Sequence, residues 1–183
     1  ILYDLSKYKY MVFTFEKDSG LLIIDIQEDN TKVFNFQTFK KNIIKLIKKA
    51  QENQIPIFYI FLSENRHSYW IDFKKELPCG YYEEGHPIDF IIPFLNKKQV
   101  ILKPTYDSFR YTDLEKILKK KKIKNLYISG LLTGVCVLNT VFSAFNLGFR
   151  VFVIENCCSD KNKKRHTDFF SNYTNYLFIK KTV

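Results

Sequence analysis

GLLTGVCVLNT, from Gly130 to Thr140, places a cysteine three residues after a threonine, where an apolar strand gives way to a helix. Just upstream, NLYISG (Asn125 to Gly130) is a short apolar run of the kind a buried strand shows. Downstream, Val135 to Leu147 has helical spacing and is closed by Gly148, a residue suited to the left-handed backbone that ends helices. RVFVIE, Arg150 to Glu155, is then a further strand. Strand, helix, strand implies a parallel pair, because parallel neighbours need a crossover connection, and such crossovers are nearly always right-handed.

The same alternation runs outward from this unit. SGLLIIDIQ (Ser19 to Gln27), IPIFYIFL (Ile55 to Leu62) and QVILKP (Gln99 to Pro104) read as three earlier strands. Between the first two, Phe36, Phe39, Ile43, Leu46, Ile47 and Ala50 recur at helical spacing among lysines. Asp113 to Lys122 is a helix, Lys164 to Tyr173 a weaker one, and YLFIK (Tyr176 to Lys180) a last strand. The expected fold is a three-layer α/β/α domain with a mainly parallel central sheet, with residues 1–183 as one domain and residues 1–18 as an edge strand or loose arm. Ser63 to Pro87, SENRHSYWIDFKKELPCGYYEEGHP, has little periodicity and reads as a long excursion over one end of the sheet, a type of loop that is often functional.

Composition narrows the function. The 183 residues are 46% hydrophobic, enough for a core, and carry a formal charge of +10. Clustered lysines would favour a polyanion, but the one long run, Lys119 to Lys122, closes a helix whose dipole favours cations, and the others are scattered. No nucleic-acid partner is expected. No apolar run approaches the roughly 18 residues of a membrane span, and the N-terminus lacks signal-peptide order, so no membrane partner is expected. Cys79, Cys136, Cys157 and Cys158 form no C-x-x-C pair, and two are adjacent; reduced thiols in a cytoplasmic protein fit this better than a zinc ribbon or a disulfide framework.

In an open parallel sheet, ligands bind beyond the carboxyl ends of the strands. Asp25, Lys103 and Cys136 all fall there, on separate segments. Singly, Asp25 reads as a turn residue, Lys103 as a lysine pointing to water and Cys136 as an inert core thiol. Together they suit nucleophilic chemistry. A helix capped by Thr133 and starting at Gly134 would hold Cys136 in its first turn, where free N–H groups and a nearby ammonium lower a thiol pKa. A carboxylate could take the proton and return it.

These residues carry a resemblance. The chain resembles the isochorismatase-like cysteine hydrolases, which include nicotinamidases, N-carbamoylsarcosine amidase and ureidoacrylate amidases. The likeness runs through LLIIDIQEDN, VILKPTYDSFRYTDLEKIL and NLYISGLLTGVCVLNTVFSAFNLGFRVFVIENCCSD to the segment around His166, and its most specific part is the G-x-x-T-x-x-C-V core with Thr140, Ala144 and Gly148. The resemblance implies an Asp25, Lys103, Cys136 triad, a cis peptide between Leu131 and Leu132, and an oxyanion hole from the backbone N–H groups of Leu132 and Cys136. It also implies a small amide or ureide substrate, cleaved at a C–N bond through a thioester, a homo-oligomer, and a structural role for His166.

One part of the family pattern is missing. Nicotinamidases usually carry an Asp-x-His and further histidines that bind a metal beside the triad, whereas FLSENRHSYW puts Glu64 and Arg66 roughly at those places. Glu64, His67 and His86 are weak metal candidates, exposed loop histidines being the plainer reading. No cofactor is therefore expected to be required, with zinc or another divalent metal relevant only to a nicotinamidase. Trp70, Tyr106 and Phe109 are candidates for the substrate pocket, each equally open to a packing role, and Gln27 is a candidate to line the pocket or orient Asp25, equally open to closing a turn. A catalytically silent binding or scaffold protein is the alternative of another class.

Overall fold

The computed structural model describes residues 13–63 and 86–183. Six strands form one sheet: β1 (Ser19–Ile24), β2 (Ile57–Leu62), β3 (Val100–Lys103), β4 (Asn125–Leu131), β5 (Arg150–Ser159) and β6 (Ile179–Lys181). Their order is β3-β2-β1-β4-β5-β6, and every pair is parallel. The helices are α1 (Phe36–Glu52), α2 (Leu114–Lys120), α3 (Leu138–Asn146) and α4 (Lys163–Tyr173).

Alternation along each strand sorts the core into two layers. Leu21, Ile23, Tyr59, Tyr127 and Phe152 face α1, where Phe39, Ile43, Leu46, Ile47 and Ala50 meet them. Leu22, Ile24, Ile60, Ile128 and Val153 share the other layer with Leu114 and Leu118 of α2, Val141 and Ala144 of α3, and Phe169 and Phe170 of α4. A strand buried on both faces must be apolar at every position, which is why these strands read as continuous hydrophobic runs.

The element boundaries differ from the expected ones at informative places. The helix expected from Val135 opens with a single π-helical turn, Thr133–Val137, before α3 begins at Leu138. β5 continues to Ser159, past the expected Glu155, because its register with β4 slips: Ile128 faces Val153, but Gly130 faces Cys158. Cys157 and Cys158 are therefore buried strand residues, each a free thiol. Residues 13–18 form an arm without strand pairing. Phe13 and Phe15 pack edge-on against Tyr127, whose hydroxyl accepts a hydrogen bond from Glu16 N–H and donates to Thr14 O. Among the described residues no helix is long and apolar enough to cross a membrane.

Candidate active site

Strand order reverses between β1 and β4, since β2 and β3 lie to one side of β1 and β5 and β6 beyond β4. Such a switch point leaves a crevice beyond the carboxyl ends of the strands. Asp25 follows β1 directly in a left-handed conformation (φ 49°), held by its N–H to Ile60 O and by Asn30 Nδ2 donating to its carbonyl. Lys103 ends the edge strand β3, two strands away, yet its Nζ lies 2.8 Å from Asp25 Oδ2. Nζ also donates to the carbonyls of Thr105 (3.1 Å) and Tyr106 (3.5 Å), so the turn after β3 folds back to hold the ammonium.

Both side chains are almost fully buried, Lys103 at 0% and Asp25 at 2% exposure. Burial by itself pushes the lysine pKa down, but the Asp25 carboxylate and the Cys136 thiol outweigh that and hold it above the usual lysine value. The ammonium therefore stays charged. Beside the ion pair, the Asp25 carboxylate faces the Cys136 thiol within hydrogen-bonding reach. A buried carboxylate next to a thiol is suited to receive its proton.

Cys136 comes to the same place along the backbone. Gly130 has φ 124°, and a Cβ there would run into the Ile24 carbonyl of the neighbouring strand, so only glycine lets β4 lie this close to β1. The Leu131–Leu132 peptide bond is cis. Leu132 then caps the π turn, its carbonyl accepting from Val135 N–H (3.0 Å) and Val137 N–H (3.2 Å), and Cys136 lies buried within that turn.

Two sequence expectations are corrected here. Thr133 is not the cap: its hydroxyl pairs with His166 Nδ1 at 3.0 Å, while the Gly134 N–H donates instead to Asp160 Oδ2 at 2.7 Å. Nor is the thiol pKa lowered. Burial pushes Cys136 up, the Asp25 charge adds to that rise, and Lys103 opposes it without cancelling it. Free N–H groups and an ammonium lower a thiol pKa, but desolvation of the buried sulfur is the larger effect here. Cys136 is therefore a neutral thiol beside a carboxylate.

The other candidates divide. Gln27 is buried and spans β1 and β2, donating from Nε2 to Leu62 O (3.1 Å) and accepting from Leu62 N–H at Oε1 (2.9 Å). Phe109 stacks on Phe149 at 6.0 Å between ring centroids, and Tyr106 packs against the same core layer. His86 is exposed, with its carbonyl accepting from Glu28 N–H. Glu64, His67 and Trp70 lie outside the described residues. Among the described residues no three His, Cys, Asp or Glu side chains are grouped to hold a metal ion.

Sequence reasoning missed the supports. Asp160 is completely buried just after β5, and its signal was its place on the same sheet edge as Asp25, Lys103 and Cys136. Thr140 takes hydrogen bonds from Ser108, one from its N–H and one shared with its hydroxyl, which explains a polar residue on the inner face of α3 and ties the segment after Lys103 to the helix after Cys136.

The family model described as the isochorismatase domain matches residues 19–179. The chain belongs to the isochorismatase family. This isochorismatase-family chain is 29% identical over 147 residues, 77% of each protein, to the uncharacterized isochorismatase family protein YddQ of Bacillus subtilis. It is 24% identical to nicotinamidase 3 of Arabidopsis thaliana, with 82% of this chain and 77% of that protein covered. The crystal structure of a nicotinamidase from Staphylococcus aureus superposes with a TM-score of 0.72 at 24% identity, covering 92% of this chain and 99% of that one. At that identity the structural likeness is one of fold.

Proposed function

We propose that this isochorismatase-family hydrolase is a cysteine amidohydrolase that cleaves the C–N bond of a small amide or ureide. The observation that carries the reading is the buried Asp25–Lys103 ion pair at 2.8 Å, whose two members both act on the Cys136 thiol. A pair so thoroughly desolvated is costly unless its geometry serves something, and here both charges bear on one nucleophile.

The mechanism follows from the protonation states. Cys136 Sγ attacks the substrate carbonyl as its proton passes to Asp25, so the thiolate exists only as the bond forms. Lys103 stays protonated and balances the negative charge. The oxyanion is received by the backbone N–H groups of Leu132 and Cys136, on the turn that presents the sulfur. Asp25 then gives its proton to the departing nitrogen, which leaves as ammonia or an amine, and a thioester remains. Water, deprotonated by Asp25, attacks the thioester; the acid is released and Cys136 recovers its proton. No step is routed through a metal or cofactor.

A nicotinamidase is the second reading, favoured by the likeness to nicotinamidase 3 of Arabidopsis thaliana over 82% of this chain. A catalytically silent protein is the third: a probable inactive nicotinamidase of the same plant is 22% identical over 82% of this chain.

Ammonia release from nicotinamide, ureidoacrylate-like and N-carbamoyl compounds, measured for wild type and Cys136→Ala with and without zinc, separates these readings. Release that disappears in Cys136→Ala is expected. A response to nicotinamide alone would select the second reading, and silence across the panel, with Cys136 also inert to an alkylating agent, the third.

A further inference from the structure

Cys136 sits on one π-helical turn that opens directly off β4. A single turn fixes many dihedral angles for few internal hydrogen bonds, so its position has to be set from outside. Two side chains reach it, His166 of α4 on Thr133 and Asp160 of the β5–α4 junction on Gly134.

Asp160 is the firmer of the two. Its carboxylate is fully buried and accepts a charged hydrogen bond of 2.7 Å from the Gly134 N–H, a class about twice as strong as a neutral bond. The other oxygen is fixed by the Lys161 N–H (2.8 Å) and by Arg165 Nε (2.9 Å). Its carbonyl accepts the Phe34 N–H at 2.8 Å, and Ser159 Oγ donates to Phe34 O, which ties the same junction to the segment following β1 and Asp25. Residue 134 is itself part of the device. A Cβ there would stand 3.2 Å from Asp160 Oδ2, closer than most real Cβ contacts, so glycine is what admits the carboxylate to the amide.

We infer that Asp160 is a positioning residue for the hydrolysis: through the Gly134 N–H it fixes the nucleophile turn and so places Cys136 against Asp25 and Lys103. The inference rests on Cys136 being the nucleophile. Its expected size is large, because misplacing a reacting atom by about 1 Å can lower the rate roughly a hundredfold.

The test uses the full chain with Asp160→Ala, Asp160→Asn and Gly134→Ala, reading steady-state kinetics on the amide that gives Cys136-dependent release, thermal unfolding, and amide hydrogen exchange of residues 133–137. Asp160→Ala should lower kcat at least about tenfold with KM within about threefold, and should raise exchange of the turn about tenfold. Asp160→Asn, whose carbonyl oxygen still accepts from Gly134 while its NH2 loses the bonds from Lys161 and Arg165, should recover part of kcat, and Gly134→Ala should give an intermediate loss in a folded protein. Unchanged exchange at 133–137, or Asn performing no better than Ala, or kcat and Tm falling in parallel in all three variants, would overturn the inference. If the wild type hydrolyses nothing, the amidohydrolase reading has failed separately, and the exchange comparison still decides whether Asp160 anchors the turn.

Discussion

The β3-β2-β1 half of the sheet and the β4-β5-β6 half each supply part of the site, and they hold their parts by different forces. On the first side Asp25 and Lys103 hold each other: each is a buried ion whose main partner is the other. On the second side Cys136 carries no charge in the resting site, and its turn is held by the Gly134 N–H donating to Asp160 and by the Thr133 hydroxyl paired with His166. The difference teaches where damage should appear. Loss of a charge on the first side leaves an unpaired buried ion and harms stability and chemistry together, whereas loss of a strut on the second harms placement first.

The harshest way to break this comparison is Lys103→Met. Removing one member of a buried pair costs about 3–5 kcal/mol, because the remaining carboxylate is stranded. Denaturant unfolding should show that loss, together with loss of turnover, and adding Asp25→Asn should return much of the stability without the activity. If the double variant is no more stable than Lys103→Met, the two charges are not each other's main support.

Gly130→Ala probes the seam between the halves. Its Cβ would meet Ile24 backbone at a φ of 124°, so strain and overpacking should together cost about 2–4 kcal/mol in unfolding free energy. A near-neutral alanine would mean that β1 and β4 can separate without harm to the core.

His166 gives the smallest effect and sharpens the second half. Desolvation holds its imidazole below the usual histidine pKa, with Glu155 and Asp160 opposing and Lys180 assisting. The folded state therefore binds fewer protons at this site than the unfolded chain. The stability it contributes is complete above an unfolded pKa of about 6.5 and is lost as pH falls through that value towards the folded one. Thermal unfolding between pH 7.5 and 5 should decline less steeply in His166→Asn than in wild type, with a loss of about 1 kcal/mol at neutral pH from the Thr133 hydrogen bond. An identical slope in both would place His166 outside this proton linkage.

Much of the fold could be read locally. Runs such as LLIIDI, IFYIFL and LYIS are apolar at every position because both faces of the sheet are covered, and the lysine-spaced pattern of α1 records one buried face. Asp25, Lys103 and Cys136 stood out because each is a reactive residue at the carboxyl end of a strand or just past it. The slip in β5 was not legible, since NCCS extends a strand only because Gly130 and Leu131 face Cys158 and Ser159. Nor was the pairing of Gln27 with the Leu62 backbone legible, because the two are 35 residues apart.

The sequence by itself determined the alternation of strands and helices and the three residue types brought to one edge, because hydrophobic period and strand ends are local properties of a chain. Only the tertiary structure decided that Lys103 reaches Asp25 across an intervening strand, that Thr133 bonds to His166 while Asp160 takes the Gly134 amide, and that Cys136 rests as a neutral thiol. Those outcomes depend on which polar groups meet after burial and on how much water the site excludes, and neither quantity is written in any local stretch of residues.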